Sequence, residues 1–155
     1  MRLQAFNGTK ISDSMTTTVF PGRYESLSAI RDFVVNVAKG AGFKDFDLYA
    51  VELAVDEACS NIIEHAYGGE NKGDIELTCD STDRSLIIVL RDRGRPFDPT
   101  IIPEPNFGLN IDQLKPGGAG LFLMHKMMDE VYFDFSRGSG NVLTMIKNKK
   151  TELSN

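Results

Sequence analysis

Two polar side chains on a predicted helix are the first candidates for chemistry. Glu57 and Asn61 stand four residues apart, so in a helix they project from neighbouring points of one face. A carboxylate beside a neutral oxygen ligand suits a metal-bound phosphate. The same pair is also compatible with a solvated surface. The small residues Ala50 and Ala54 precede the pair on this face, which predicts that another part of the chain packs closely against it.

Two glycine-containing segments further along the chain could complete such a site. Asp92-x-Gly94 follows an apolar run; the carboxylate could accept a hydrogen bond from an amino group, and Gly94 lets the backbone pass close to a ligand. An ordinary turn is the alternative, because Asp and Gly are favoured in turns. The second segment, residues 117–120, opens a predicted helix whose unpaired N–H groups could bind an anion. A flexible hinge would have the same composition.

Other signatures of nucleotide or catalytic sites are missing from the sequence. It contains no G-x-x-x-x-G-K-[ST] motif and no G-x-G-x-x-G after a strand. His65 and His125 are the only histidines, and their spacing does not support a Ser/His/Asp hydrolase. Cys59 and Cys79 have no metal-binding spacing, so two buried thiols in a reducing cytoplasm are expected.

Charge and length limit the partners. The chain of 155 residues has a net charge of −5, which predicts one soluble domain over residues 1–155 and argues against direct nucleic-acid binding, because no stripe of Lys and Arg is present. Lys147, Lys149 and Lys150 are interpreted as the solvated end of a strand. No signal peptide and no membrane span is recognisable, so a cytoplasmic location without membrane contact is expected.

Hydrophobic periodicity predicts the elements that position these residues. Strands are expected at 16–21, 74–80, 85–90, 131–135 and 141–147, and helices at 24–39, 48–69 and 121–129. Residues 3–11 could extend the first strand, and Asp45 or Asp47 is expected to cap the central helix. Because the strands fall mostly in adjacent pairs, the predicted class is α+β, with helices on one face of a mixed, mostly antiparallel sheet.

Four motifs in order resemble the anti-sigma-factor serine kinases of the GHKL ATPase superfamily. They read EACSNIIEHAY, RDRGRPFDP, GGAGLFLMHKMMDEVYF and GSGNVLTMIK, and the resemblance covers roughly residues 16–148. It implies the superfamily's two-layer α/β sandwich, the Bergerat fold, with about three helices on one face of the sheet. It also implies an ATP site between the helices and a lid over about residues 100–117, a stretch rich in proline and without periodicity.

The resemblance also implies roles for single residues. Glu57 matches the catalytic base, Asn61 the Mg²⁺ ligand, and Asp92, with Gly94 beside it, the carboxylate that reads the adenine amino group. The phosphate-binding start of the third helix is matched by Gly118, Gly120 and Leu121. A residue that lines the adenine pocket, on the last strand, is matched by Thr144.

The chain departs from many superfamily members at two places. It has Pro96 and Phe97 where a second glycine is common, and Gly140-Asn141 where a Gly-Thr pair is common. Both variants resemble the small stand-alone branch of the family.

The function implied by the resemblance is that of an ATP-binding anti-sigma factor and protein serine kinase. It would use ATP and Mg²⁺ to phosphorylate a small anti-sigma-factor antagonist, and so regulate transcription by partner switching. The sigma factor and the antagonist would be its protein partners, and a homodimer is expected by resemblance. Two alternatives stay open: a nucleotide-gated anti-sigma binding module without kinase activity, and a histidine-kinase-type ATPase fragment. The latter is disfavoured because no histidine-bearing dimerisation helix is recognisable.

Overall fold

The computed structural model describes residues 16–96, 118–135 and 140–150. Their strands and helices are β1 (Thr16–Pro21), α1 (Leu27–Gly40), α2 (Phe46–Asn61), β2 (Asp74–Ser81), β3 (Ser85–Asp92), α3 (Gly118–Met127), β4 (Glu130–Asp134) and β5 (Asn141–Asn148). A 3₁₀ turn at Tyr24–Ser26 precedes α1, and a π-helical turn at Ile62–Ala66 continues α2. The predicted strand over 3–11 and the predicted lid over 100–117 lie outside the described residues.

The five strands form one sheet in the order β1-β2-β3-β5-β4, and every pair of neighbours is antiparallel. The predicted α+β class is confirmed, although the described sheet is wholly antiparallel rather than mixed. Successive side chains in a strand point to opposite faces. Leu90 faces the helices with the core, so Asp92 does too, and its partner on β5 is Asn141. Asp92 and Asn141 therefore lie side by side on the helical face of the sheet.

The core lies between this face and the helices. Its fully buried side chains come from all three helices and from the central strands; they include Ile30, Val34, Val51, Val55, Leu77, Ile88, Leu90, Met124 and Met145. Helix α2 contacts both α1 and α3. Ala50 and Ala54 are fully buried, which confirms that other parts of the chain pack against the small residues of α2. Cys59 and Cys79 are free and buried, as predicted.

One local prediction is confirmed in position and another is wrong. Asp45 occupies the N-cap position of α2, as predicted, but its side chain makes no capping hydrogen bond; its φ of 49° differs from the extended backbone of a usual N-cap. Lys147 is not solvated, because only 9% of its surface is exposed. Its Nζ donates a hydrogen bond of 2.7 Å to the carbonyl oxygen of Met127 and lies 3.9 Å from Asp47 Oδ1. The end of α3 leaves carbonyl groups unpaired, and this lysine satisfies one of them.

Among the described helices, none combines the length and apolarity that a membrane crossing requires.

Candidate active site

The beginning of α3 lies directly against the polar face of α2. A Cβ added to Gly120 would stand 2.5 Å from Glu57 Oε2 and 3.6 Å from Asn61 Nδ2. A real Cβ atom does not approach an oxygen so closely, so this contact requires glycine at position 120. Gly120 and the following Leu121 are both buried. The structure thus brings Glu57 and Asn61 next to the first turn of α3, which begins at Gly118 and whose N–H groups have no partner within the helix.

The electrostatic environment of Glu57 favours its protonated form. Burial raises the pKa of this carboxyl group, and the negative charges of Asp56 and Glu64 raise it further. A carboxylate whose pKa is moved toward the working pH is better suited to act as a general base. The structure therefore gives Glu57 a property that the predicted role demands.

Asn61 carries a buried amide group that its surroundings do not satisfy. Its Nδ2 has no hydrogen-bond partner, whereas buried polar groups in proteins are normally paired. A half-turn of the amide exchanges Nδ2 and Oδ1, so this position can present either a donor or an oxygen ligand. An unsatisfied amide beside a carboxylate can form part of a ligand site, because the amide N–H can donate to a phosphate and the carboxylate gains from a bound cation.

Asp92 is held rigidly at the end of β3. It is 5% exposed, and its Oδ1 accepts two hydrogen bonds of 2.8 Å, one from Gly94 N–H and one from Asn141 Nδ2. Burial raises the pKa of this carboxyl group, while the two hydrogen bonds lower it. Because both bonds use Oδ1, the second oxygen, Oδ2, takes part in neither.

Asn141 is the functional candidate that sequence reasoning missed. Besides its bond to Asp92, its Nδ2 donates a hydrogen bond of 2.8 Å to the carbonyl oxygen of Arg95, so one amide ties the carboxylate to the turn that follows it. Thr144 is not brought to this site. Its partner on β3 is Val89, which places it on the face of the sheet away from Asp92. The sequence signal that could have identified Asn141 is the Gly140-Asn141 pair in place of Gly-Thr, interpreted above only as a mark of the family's stand-alone branch.

A cleft of about 400 Å³, including its open mouth, is lined by both Asn61 and Asp92 and so connects α2 with the end of β3. Its polar lining residues are Asn61, Asp92, Asp134 and Asn141, and its other lining residues are Ala58, Ile62, Ala66, Met124, Phe133, Phe135, Val142 and Leu143. Mostly apolar walls with a few fixed polar groups are typical of small-molecule sites. Glu57 and Gly120 do not line this cleft. They contact each other beside it, because Glu57 lies one helical turn before the lining residue Asn61 on α2.

The donor set limits which metal the site could hold. The described residues contain no cluster of three or more His, Cys, Asp or Glu side chains that could bind a metal ion. Mg²⁺ needs no such cluster, because it usually takes one or two protein ligands and completes its shell with water and substrate phosphates. The unsatisfied amide of Asn61 fits this habit.

Comparison with known proteins identifies the family to which this chain belongs. The model of the family described as "Histidine kinase-like ATPase domain" matches residues 20–147. Curated relatives are the serine-protein kinase RsbW of Bacillus velezensis, 31% identical over 132 residues covering 83% of this chain and 82% of the relative, and that of Staphylococcus epidermidis, 36% identical over 137 residues covering 85% of each. The chain therefore belongs to the histidine kinase-like ATPase family and, within it, to the RsbW serine-protein kinases.

Solved structures support the fold. The RsbU and RsbW domains of Rv1364c from Mycobacterium tuberculosis match with a TM-score of 0.62 at 15% identity, over 88% of this chain and 33% of that chain. The catalytic domain of the histidine kinase ThkA matches with a TM-score of 0.53 at 15% identity, over 88% of this chain and 99% of that one. The resemblance stated from the four sequence motifs and the predicted enzyme class, an ATP-dependent protein serine kinase, are confirmed by the family membership.

Proposed function

We propose that this protein is an anti-sigma factor that binds Mg²⁺ and ATP in the described cleft and phosphorylates a serine of a small antagonist protein. The observation that carries the proposal is the meeting of Gly120 with Glu57 and Asn61, beside a cleft that ends at Asp92. Two helices that are far apart in the sequence thus supply a base and an ion ligand, both on α2, and an anion-binding helix start, on α3, in one place. Phosphorylation of the antagonist decides whether the protein holds its sigma factor, which makes it a partner switch.

The two halves of the site divide the recognition of ATP between them. The apolar walls of the cleft accept the adenine ring, and Asp92 Oδ2 accepts a hydrogen bond from its 6-amino group. The N–H groups at the start of α3 face the phosphates, as helix N-termini do. Asn61 would hold Mg²⁺ together with the phosphates, and the ion supplies neutralisation of the triphosphate charge.

Glu57 is the residue to which we assign the proton transfer. It accepts the proton of the serine hydroxyl, while the serine oxygen forms a bond to the γ-phosphorus and the bond from that phosphorus to the β–γ bridging oxygen breaks. The bond's electron pair leaves with ADP. The raised pKa of the Glu57 carboxyl group supports this role, because it makes the carboxylate a better proton acceptor than an exposed one.

One assay tests the kinase proposal. The protein is mixed with Mg²⁺, ATP labelled at the γ-phosphate and the antagonist, and Glu57→Gln is compared with wild type. We expect the rate of labelling to fall about 10²- to 10⁴-fold, the range of general-base contributions, with ATP affinity changed less than about threefold because the amide keeps the shape of the side chain. The matched control is Glu52→Gln, an exposed carboxylate on the same helix, which should label at the wild-type rate.

Other outcomes distinguish the alternatives. If neither wild type nor Glu57→Gln labels the antagonist although both bind ATP, phosphotransfer is refuted and the protein is a nucleotide-gated binding module. If wild type labels a histidine of a partner instead of a serine, it is an ATPase fragment of the histidine kinase type. Loss of the sigma factor from the complex after antagonist binding, measured by native electrophoresis, tests the partner switch independently.

The proposal includes a cytoplasmic location, where sigma factors act, and a homodimer, which rests on the family resemblance. Size-exclusion chromatography with light scattering tests the dimer directly, since a monomer would have half the expected mass. The assignment of residues 1–155 to one domain with a lid over about residues 100–117 stays a prediction. Limited proteolysis with and without ATP tests it.

A further inference from the structure

The turn after Asp92 is held from outside β3. Three consecutive backbone N–H groups each have a defined acceptor: Arg93 N–H donates to the Tyr67 hydroxyl at 2.9 Å, Gly94 N–H to Asp92 Oδ1 at 2.8 Å, and Arg95 N–H to the Ala66 carbonyl at 2.7 Å. Two of these acceptors are adjacent residues at the end of α2 and its π-helical turn. The orientation of Asp92 therefore depends on α2 as well as on its own strand.

The hydroxyl of Tyr67 forms a bridge. It accepts the hydrogen bond from Arg93 N–H and donates one of 2.5 Å to the carbonyl oxygen of Asp74 at the start of β2. Its ring lies against Gly73, where any Cβ would overlap the ring. Gly73 is itself fixed, because its carbonyl oxygen accepts a 2.8 Å hydrogen bond from Gly22 N–H. The ring is therefore wedged in place, and the hydroxyl has little freedom to leave the turn.

The π-helical turn sets the direction of this bridge. Tyr67 N–H donates to the carbonyl oxygen of Ile62, five residues earlier, whereas an α-helical bond would span four. The extra residue changes the direction of Tyr67 by about 100°, the rotation per residue of a helix. The turn after β3 also touches this segment directly, since a Cβ on Gly94 would lie 2.5 Å from the Ala66 oxygen. Single π turns of this kind often occur at functional sites.

We propose that Tyr67 is a positioning residue for adenine recognition, whose hydroxyl sets the Asp92 carboxylate by fixing the turn from Arg93 to Arg95. The proposal rests on the proposed function, because it assumes that Asp92 reads the adenine amino group. Tyr67 is not among the residues that line the described cleft, so it acts on the ligand only through the backbone of this turn. Its effect must therefore depend on a ligand group that Asp92 contacts.

Comparison of two ligands isolates this effect. Purine riboside triphosphate has the ring and phosphates of ATP but lacks the 6-amino group, so it cannot donate to Asp92. A site built to bind a polar group discriminates against an analogue that lacks the group. Wild type should therefore prefer ATP, and loss of the Tyr67 hydroxyl should reduce that preference rather than lower both affinities.

The test is isothermal titration of Tyr67→Phe with ATP and with purine riboside triphosphate, both with Mg²⁺. The variant keeps the ring and removes one oxygen. We expect ATP affinity to fall about tenfold, comparable to the net worth of one good hydrogen bond, and the affinity for the analogue to change less than about twofold, because Asp92 makes no bond to it. Tyr132→Phe is the matched control: it removes a hydroxyl that bonds Glu130, and it should leave both affinities unchanged.

Each other outcome has one meaning. Equal losses for the two ligands would show a general structural role and overturn the positioning role, as would unchanged binding of ATP. If wild type binds ATP no better than the analogue, the adenine contact of Asp92 is refuted and the proposal with it. Wild type that binds neither ligand would refute the proposed function itself, which is a different result from failure of the Tyr67 proposal alone.

A measurement on wild type keeps the proposal testable even if Tyr67→Phe folds poorly. Amide hydrogen exchange at Arg93, followed by NMR, should slow by at least about threefold when ATP is added, because engagement of Asp92 stabilises the turn and exchange reports local opening. Purine riboside triphosphate at equal saturation should leave this rate unchanged. Equal protection by both ligands would overturn the link between the Tyr67-bonded turn and the adenine amino group.

Discussion

Gly120→Ala should separate stability from phosphotransfer. The added Cβ would stand 2.5 Å from Glu57 Oε2, so the carboxylate must move by about 1 Å to reach an ordinary contact distance of roughly 3.5 Å. The carboxylate is the far end of a flexible side chain and can rotate away. Asn61 Nδ2, at 3.6 Å, is already at that distance and need not move. The substitution therefore displaces the proposed base while it leaves the proposed ion ligand in place.

The expected loss of stability is small, whereas the expected loss of activity is large. Replacing glycine by alanine within a helix contributes about 0.5–1 kcal/mol of stability, whereas overpacking costs about 1–3 kcal/mol. The free energy of unfolding should therefore fall by no more than about 2.5 kcal/mol when these two ranges are combined. A displacement of 1 Å at a reacting group, by contrast, can cost about 10²-fold in rate.

The assay measures labelling of the antagonist and thermal unfolding of the same preparations. Gly40→Ala is the matched control, because it lies at the end of α1 and nothing stands within 4 Å of its added Cβ. That variant should keep the wild-type rate. The reasoning is refuted if Gly120→Ala phosphorylates the antagonist at the wild-type rate while folded, since Glu57 would then not need its observed position.

Three further predictions concern buried polar groups. Lys147→Met should lower the free energy of unfolding by about 1–3 kcal/mol, because the Met127 carbonyl loses its partner; chemical denaturation with exposed Lys150→Met as control measures this, and equal stabilities would contradict it. Because burial raises the pKa of Asp92 in the folded state, its contribution to stability is present below the unfolded pKa and is lost as the pH rises through the folded pKa. Asp92→Asn should therefore weaken ATP binding yet be at least as stable as wild type at neutral pH, as thermal unfolding can show. Asn141→Ala removes a hydrogen bond that lowers the Asp92 pKa, so the acid-induced loss of ATP affinity should begin at a higher pH than in wild type; an unchanged pH profile in titration calorimetry would count against the bond.

Local patterns were sufficient for the part of the site that lies on one helix. Glu57 and Asn61 are one turn apart, and a helix of any register places them together. The same is true of the continuous apolar run over residues 86–90, which predicts β3 as an interior strand. Thr144 shows where this reasoning stops, because the face to which it points depends on the register between β5 and β3, which no local pattern on β5 reveals.

Contacts between distant segments could not be predicted for a related reason. Lys147 appears as the first of three lysines at a polar strand end, and its burial depends on a helix end 20 residues earlier in the chain. Asp45 has the composition of an N-cap, but its backbone has a positive φ that no sequence rule for caps anticipates. The π turn after Asn61 is also hidden, since the apolar spacing over Ile62–Ala66 suits an α-helix equally well.

Two glycines in close contact with α2 explain how this helix sets the distance between the phosphate and adenine parts of the proposed site. Gly120 touches the α-helical part of α2 at Glu57, and Gly94 touches its π-helical end at Ala66. The phosphate half and the adenine half of the proposed site are thus both built against the same element, about two and a half turns apart at 3.6 residues per turn. Their separation is fixed by the helix itself rather than by the loops around it. A one-residue deletion that converts the π turn to α-helix should therefore misplace Asp92 relative to Asn61, although the sequences around Asp92 and Gly120 are unchanged.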